Sequence, residues 1–371
     1  MNSQQHPKIG IVYLLYYHNE EYIDDVVSSL KKITYPKDRI EFIIVSNPHP
    51  EHGSFVHYLE SAVVPLSEKE IPRVTILAQK ENLGFAGGNN VGAIWAMEHD
   101  CKYVFFNNND GFFAADAIEP LVDTFENDDT IGAAQSLILL HPETELVNCT
   151  GNSYHYLGFG FCDEYRSNIK TLSLPKIKDI NYASGAALMV RSDLIKKYGM
   201  WDDDFFLYHE DLEWSLRLKM AGYRIVMVTD SIFYHKYKFS RSITKFYWME
   251  RNRYGVLLMF FRWKTLLLLL PMLLVMELGL IAFALKGGWI KDRIRVYQYW
   301  SKLAHWKLWL GKRKKINAIR KVSGKKDIDI LQSAATKILF QDQEMQNPLL
   351  IYVGNPIMNL YAGIIRHIIK W

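Results

Sequence analysis

The stretch Val74-Thr75-Ile76-Leu77-Ala78, followed after Gln79-Lys80-Glu81 by Asn82-Leu83-Gly84-Phe85-Ala86-Gly87-Gly88-Asn89-Asn90, reads as a strand, a glycine-rich turn and the start of a helix. The apolar run suits a buried strand, and a helix is expected from about Asn89 to Glu98. Glycines between the two let the backbone approach a ligand closely, and a helix start offers free N–H groups. Such turns also occur without ligands, so the loop alone decides little about function. Working outward, Ile9–Leu15 is continuously apolar, as a strand buried on both faces should be. Glu20–Lys32 reads as a helix, Phe42–Val45 as a second strand and Tyr103–Phe106 as a fourth. This alternation predicts an α/β fold, a mainly parallel sheet flanked by helices. Ligands on such sheets gather at the carboxyl ends of the strands.

Beyond residue 110 the pattern is less regular. Ile131–Leu140 and Ala186–Val190 look like strands, and Asn148–Phe161 like a hairpin or an acceptor-facing loop. Asp211–Ala221 reads as an amphipathic helix with Leu212, Leu216 and Met220 on one face and Gly222 stopping it. Ile225–Val228 and Ile232–Tyr234 read as two short strands. The 371 residues are 49% hydrophobic, enough for a catalytic domain with an appendage. Cys101, Cys149 and Cys162 are too few and too scattered for a disulfide framework or a zinc cluster, and they fit a reducing compartment. The polar start Met1–Lys8 and the short apolar run Ile9–Tyr17 do not read as a secretory signal, so the first half is expected in the cytosol.

Three polar clusters carry candidate chemistry. Asn107-Asn108-Asn109-Asp110 follows the fourth strand, where one carboxylate among amides can hold a hard divalent ion; the same pattern also makes ordinary turns. Trp201-Asp202-Asp203-Asp204 leads through Phe205–His209 to Glu210-Asp211, where a helix begins; carboxylates there also serve as plain caps. His235 closes a short strand, a position that is often only structural.

The order and spacing of these pieces resemble the inverting family 2 glycosyltransferases, in particular their rhamnosyltransferase and galactofuranosyltransferase-like branch. The resemblance covers about residues 8–260 and is most specific in Asn82–Asn90 and in Ser184-Gly185-Ala186 through Glu210-Asp211 to Ala221-Gly222-Tyr223. It implies a GT-A fold with a nucleotide-sugar-binding half (1–110), an acceptor-binding and catalytic half (111–262) and a membrane-associated helical region (263–371). Asn82, Gly84, Phe85, Gly88 and Asn89 would line the donor pocket, with Tyr17, Asn47, Asn109 and Arg251 adding to it. Asp110 and His235 would hold Mg²⁺ or Mn²⁺. Asp211 would be the general base with Glu210 beside it, and Trp201 and Asp202 would hold the acceptor. Two positions depart from the family pattern. Ser46 stands where an acid usually reads the base, and Tyr17-His18 replaces a Tyr-Asn pair.

The last third differs in kind. The 21 residues between Lys264 and Lys286 carry a single charge, Glu277, and as a helix would be roughly 30 Å long, about one hydrocarbon thickness. Residues 286–326 then hold fourteen Lys or Arg against one acid, Asp292, interleaved with Trp289, Trp300, Trp306 and Trp309. Basic clusters with aromatic residues suit an anionic lipid surface better than nucleic acid, given the adjoining apolar run. The tail Leu349–Trp371 is also apolar and is expected at the interface. Pro271 and Glu277 favour a re-entrant or interfacial arrangement over a straight span. The expected protein is therefore a membrane-attached transferase acting at the cytoplasmic face on a glycan or polyprenyl-linked acceptor. A catalytically inactive sugar-binding homologue is the alternative, and the presence of Asp110, Asp211 and His235 argues against it.

Overall fold

The computed structural model describes residues 6–17, 20–237, 245–339 and 347–371; His18, noted above, lies outside them. The chain folds as two compact units. The first comprises Met1–Gly151, Asp163–Leu218 and Tyr223–Tyr237, and the second Asn152–Cys162, Lys219–Gly222 and Lys238–Trp371.

The first unit is built on one mixed sheet. Its elements run β1 (Ile9–Leu15), α1 (Glu20–Lys32), β2 (Ile40–Ser46), β3 (Arg73–Ala78), α2 (Gly84–Glu98), β4 (Tyr103–Asn107), β5 (Gly111–Phe113), α3 (Ile118–Asn127), β6 (Ile131–Leu140) and β7 (Val147–Cys149). In the second unit β8 (Asn152–Tyr154) pairs with β9 (Gly160–Cys162) as a hairpin. The first unit resumes with β10 (Ile177–Asp179), β11 (Ala187–Arg191) and α4 (Ser192–Tyr198). It closes on α5 (Glu210–Met220), whose last two residues fall in the second unit, and β12 (Arg224–His235). The spatial order is β10-β12-β6-β11-β4-β1-β2-β3. Strands β4, β1, β2 and β3 pair in parallel, as the strand–helix alternation requires. Strand β11 is antiparallel to both β4 and β6, and β12 runs parallel to β6.

This arrangement has one consequence for function. The carboxyl ends of β1, β2, β4, β6 and β12 and the amino end of β11 all lie on the same edge of the sheet. The rest of each strand is committed to the core, where Val12, Leu14, Ile43, Phe106, Leu188 and Trp214 are buried together.

Two local readings need correction. Helix α2 begins at Gly84, not Asn89, so the glycine-rich stretch is its first turn. Asn82 Oδ1 accepts the Gly84 N–H at 2.9 Å, and Gly84 enters at a φ of 71°, a conformation that glycine adopts without cost. The two short strands at 225–234 are one strand, β12, whose register slips between Val228 and Ile232 and so absorbs the break.

The remainder of the second unit is helical: α6 (Phe246–Phe260), α7 (Trp263–Gly287), α8 (Ile290–Trp300), α9 (Leu303–Ser323), α10 (Asp327–Ser333) and α11 (Asn355–Ile368). The hairpin belongs to this unit. Arg253 donates to the Leu157 carbonyl at 3.0 Å, and Tyr154 Oη to that of Ile330 at 2.7 Å. Among the described residues, α7 is the one helix long and apolar enough to cross a membrane.

Candidate active site

At the end of β2, Asn47 is fixed on both sides. Its N–H donates to Leu15 at 2.8 Å, and its amide nitrogen donates to Asn82 Oδ1 at 3.2 Å and to the Gly84 carbonyl at 3.1 Å. Gly88 lies beneath this amide: a Cβ there would meet Leu14 at 2.5 Å and Asn47 at 3.1 Å. Asn89 turns back on the Phe85 carbonyl at 3.0 Å and is buried. The structure thus brings Asn47, Asn82, Gly84, Phe85, Gly88 and Asn89 together, and much of their hydrogen bonding holds one another in place. The Asn47 Oδ1 atom stays buried without a partner. Ser46 is fully buried, its hydroxyl also unpartnered. Tyr17, half exposed, stacks on His52 at 4.3 Å and lies 4.7 Å from the His49 ring. Both histidines were invisible to motif reading because they sit in an irregular loop.

The loop before α5 is clamped to α2. Phe85 N–H donates to the Phe206 carbonyl at 2.7 Å, and a Cβ on Gly84 would lie 2.5 Å from that oxygen. Asn90 donates to the Trp201 carbonyl at 2.7 Å and also to Asp203. Trp201 is buried among Phe85, Phe106 and Gly185, and its indole N–H has no partner. Asp202 caps the following turn by accepting from Asp204 N–H at 3.1 Å. Phe206, Tyr208 and His209 then adopt φ of 63°, 65° and 68°. Left-handed backbone costs roughly 1–2 kcal/mol per non-glycine residue. Three such residues immediately ahead of Glu210-Asp211 mark a segment held in place by its surroundings.

That segment delivers two carboxylates. Asp211 accepts from Leu212 N–H at 2.7 Å and from Gly185 N–H at 3.3 Å. Burial pushes its carboxyl above the usual aspartate range, against the pull of those N–H groups. Glu210 is more deeply buried, and one of its oxygens has no partner. Burial first, then the Asp211 charge, push its carboxyl well above the usual range. Burial raises both carboxyls, and the Asp211 charge raises Glu210 further.

Asp110 and His235, 125 residues apart in sequence, meet with Oδ1 and Nε2 2.8 Å apart. Asn108 Nδ2 lies 2.7 Å from the same carboxylate oxygen and 3.2 Å from the imidazole nitrogen. On the other side of the ring, His235 Nδ1 is 2.7 Å from Asn148 Oδ1. A ring donating from Nδ1 to Asn148 presents its Nε2 lone pair to a carboxylate oxygen. In that tautomer a cation between the two atoms would satisfy the contact; in the other, Nε2–H donates to Asp110 and Nδ1 accepts from a flipped Asn148 amide. Of this pair the carboxylate is the donor type that suits Mg²⁺ or Mn²⁺, whereas imidazole is commoner on softer transition metals. Among the described residues no group of three or more His, Cys, Asp or Glu converges on one point.

The two carboxylate centres are physically linked. Asn108 N–H donates to the Ala186 carbonyl at 2.9 Å, and the neighbouring Gly185 N–H reaches Asp211. Below them Tyr13 Oη donates to the Asn109 carbonyl at 2.9 Å. Asn148, Asn90 and Gly185 lay within stretches singled out in the sequence and Tyr13 within an expected strand, but none was given a role, because each acts through a contact distant in sequence. Arg251 lies in the second unit, where its guanidinium stacks on Trp248 and Tyr299, 4.5 and 5.1 Å from their ring centroids.

Comparison with known proteins fits this picture. Residues 12–199 match Glycosyl transferase family 2, and residues 110–311 match Glycosyl transferase family group 2. Over 269 residues the chain is 24% identical to probable glycosyltransferase YdaM of Bacillus subtilis (strain 168), covering 68% of this chain and 56% of that protein. It thus spans little more than half the length of that relative. The fold is similar to that of GalNAc-T7, crystallised with UDP, GalNAc and Mn²⁺, with a TM-score of 0.51 and 15% identity over 64% of this chain and 45% of that one. S. aureus TarS 1-349 in complex with UDP aligns with a TM-score of 0.49 and 13% identity over 96% of this chain and 88% of that one.

Proposed function

The chain belongs to glycosyl transferase family 2, and from that premise we propose that it transfers a sugar from a nucleotide-sugar donor to a glycan or lipid-linked glycan acceptor, with inversion. The observation that carries this reading is the linked pair of centres: Asp110 with His235, joined through Asn108, Ala186 and Gly185 to Asp211.

Asp211 removes the proton from the acceptor hydroxyl as it attacks the sugar. A raised pKa makes it a stronger base than an ordinary aspartate, and its two backbone bonds aim it. The direct displacement inverts the anomeric centre and needs no protein nucleophile. Asp110 and His235 would hold a divalent cation, which neutralises charge on the departing nucleoside diphosphate when bound. Asn148 orients the imidazole for this task. Tyr17, Asn47, Asn109 and the Asn82–Asn89 turn surround the donor. Trp201 and Asp202 shape the acceptor side. The apolar helix α7 and the basic residues after it support attachment to the cell membrane, with catalysis on the cytoplasmic side.

The test is a donor screen with the purified full chain, reading released nucleoside diphosphate from several nucleotide-sugars with Mg²⁺, Mn²⁺ or excess EDTA. Acceptor-dependent release from one donor, abolished by EDTA, is expected. Full activity in EDTA would remove the metal role, and no release from any donor would favour the inactive homologue.

A further inference from the structure

Helix α7 has the length of a membrane span, but its neighbours do not. The 25 residues of Trp263–Gly287 would extend roughly 37 Å. Glu277 lies close to the middle of this helix. It accepts from Arg293 Nε of α8 at 2.9 Å and also bonds Tyr254 of α6 and Tyr297 of α8. Arg293, fully buried, also pairs with Glu250 of α6. Near the far end of α7, Phe283 and Trp289 pack with tilted rings at 5.1 Å, and Phe246 at the start of α6 stacks on Trp289 at 6.1 Å. At its beginning, Asp327 accepts from Arg262 N–H at 2.7 Å and Thr265 Oγ1 at 2.6 Å and pairs with Arg320 of α9. The helices before and after α7 therefore flank it along its length.

Those flanking helices cannot enter hydrocarbon. Helix α8 exposes Lys291 and Arg295 within a turn of Arg293, at the level of the midpoint of α7, and Gln298 a turn further on. If α7 crossed a bilayer, these groups would lie at its centre, where charge is most costly. Yet α7 exposes an apolar arc through Leu267, Leu270, Leu274, Leu278 and Leu285, which repeats at helical spacing. Helix α11 is tied to it by the bond from Tyr361 Oη to the Leu268 carbonyl, and it exposes a matching stripe of Ile357, Leu360, Ile364 and Ile368.

We propose that α7 and α11 together form a monotopic membrane seat that lies in one leaflet, with α7 parallel to the surface and Glu277 turned to Arg293 inside the protein. The occupant is an anionic bilayer. Of the fourteen basic residues between 286 and 326, Arg293, Arg313 and Arg320 are buried; the other eleven, against Asp292 alone, attract such a surface and repel a second copy of the same chain. The choice of a membrane rests on the reading above, but the seat does not depend on sugar transfer.

The experiment uses the full chain with Cys162 replaced by Ser, Cys101 and Cys149 being buried. Single cysteines at Leu267, Leu274 and Leu278 are spin-labelled on vesicles of phosphatidylglycerol and phosphatidylcholine, and their depth is read by power saturation. One shared shallow depth is expected. A maximum at Leu274 with decline toward both helix ends would establish a span and overturn the seat. In a second arm, Leu274→Glu and Leu360→Glu each lower partitioning to these vesicles by roughly ten- to a hundredfold, with an unchanged circular dichroism spectrum. Unchanged partitioning, or labels buried by dimerisation in buffer without vesicle binding, would also overturn it. Donor turnover in detergent stays at the wild-type level in both variants, so loss of the seat is distinguishable from loss of the transferase reading.

Discussion

Glu210 in the sheet unit and Glu250 in the helical unit are almost equally buried, 5% and 4% exposed, yet their carboxyls shift in opposite directions. Burial pushes Glu210 well above the usual range, and the adjacent Asp211 adds to the effect. Burial would do the same to Glu250, but the Arg253 and Arg293 guanidiniums more than offset it, and the group is held below the usual range. A buried carboxylate with a paired arginine is a structural joint. One without a cation keeps its affinity for a proton, which is what proton transfer needs. The helical unit neutralises its buried acids, whereas the sheet edge leaves Glu210 and Asp211 to share protons.

The sharpest way to break this comparison is Asp211→Asn. Turnover falls roughly a hundred- to ten-thousandfold while donor binding and thermal stability stay close to wild type. Turnover near wild type would deny Asp211 the role of base. Next comes Glu250→Ala, which strips buried Arg253 of its carboxylate, leaves Arg293 with Glu277 alone, and lowers unfolding stability by about 3–5 kcal/mol. Glu210→Gln, by contrast, removes no ion pair and changes stability by about 1 kcal/mol or less. Equal losses in urea titrations of the two variants would show that both glutamates are ion-paired supports.

Smaller in energy is Asn148→Ala. It removes the partner of His235 Nδ1 and weakens Mn²⁺-dependent donor binding by roughly ten- to a hundredfold in calorimetry. Metal-independent binding should not change. The smallest effect is in pH. Protonation of Asp211 stops catalysis, and its folded pKa is raised, so kcat/KM falls on acidification closer to neutrality than an ordinary aspartate would dictate. An acid limb within the ordinary aspartate range would sever the link between burial and basicity.

Much of the sheet unit was legible because its strands are long apolar runs punctuated by polar ends. The expected strands at 9–15, 103–106 and 131–140 all formed. Helix α2 started early because Asn82 caps Gly84, a side-chain bond that composition does not announce. The site was legible as fragments: Asp110, Asp211 and His235 were each visible as polar residues at element ends. Their roles remain proposals, and no spacing rule could reveal that Asn148 would face His235 or that Gly185 would reach Asp211.

Sequence alone determined the alternation of strands and helices, the polar strand ends and the apolar length of α7, because these follow from periodicity and local chemistry. Tertiary structure decided which polar residues meet. It set Asp110 against His235 through the pairing of β12 with β5, brought Asp211 to Gly185, and placed Arg293 against Glu277 by folding α8 back along α7. The reason is physical. Local order depends on a residue's immediate neighbours, whereas the charge state of a buried group depends on what the whole chain packs around it.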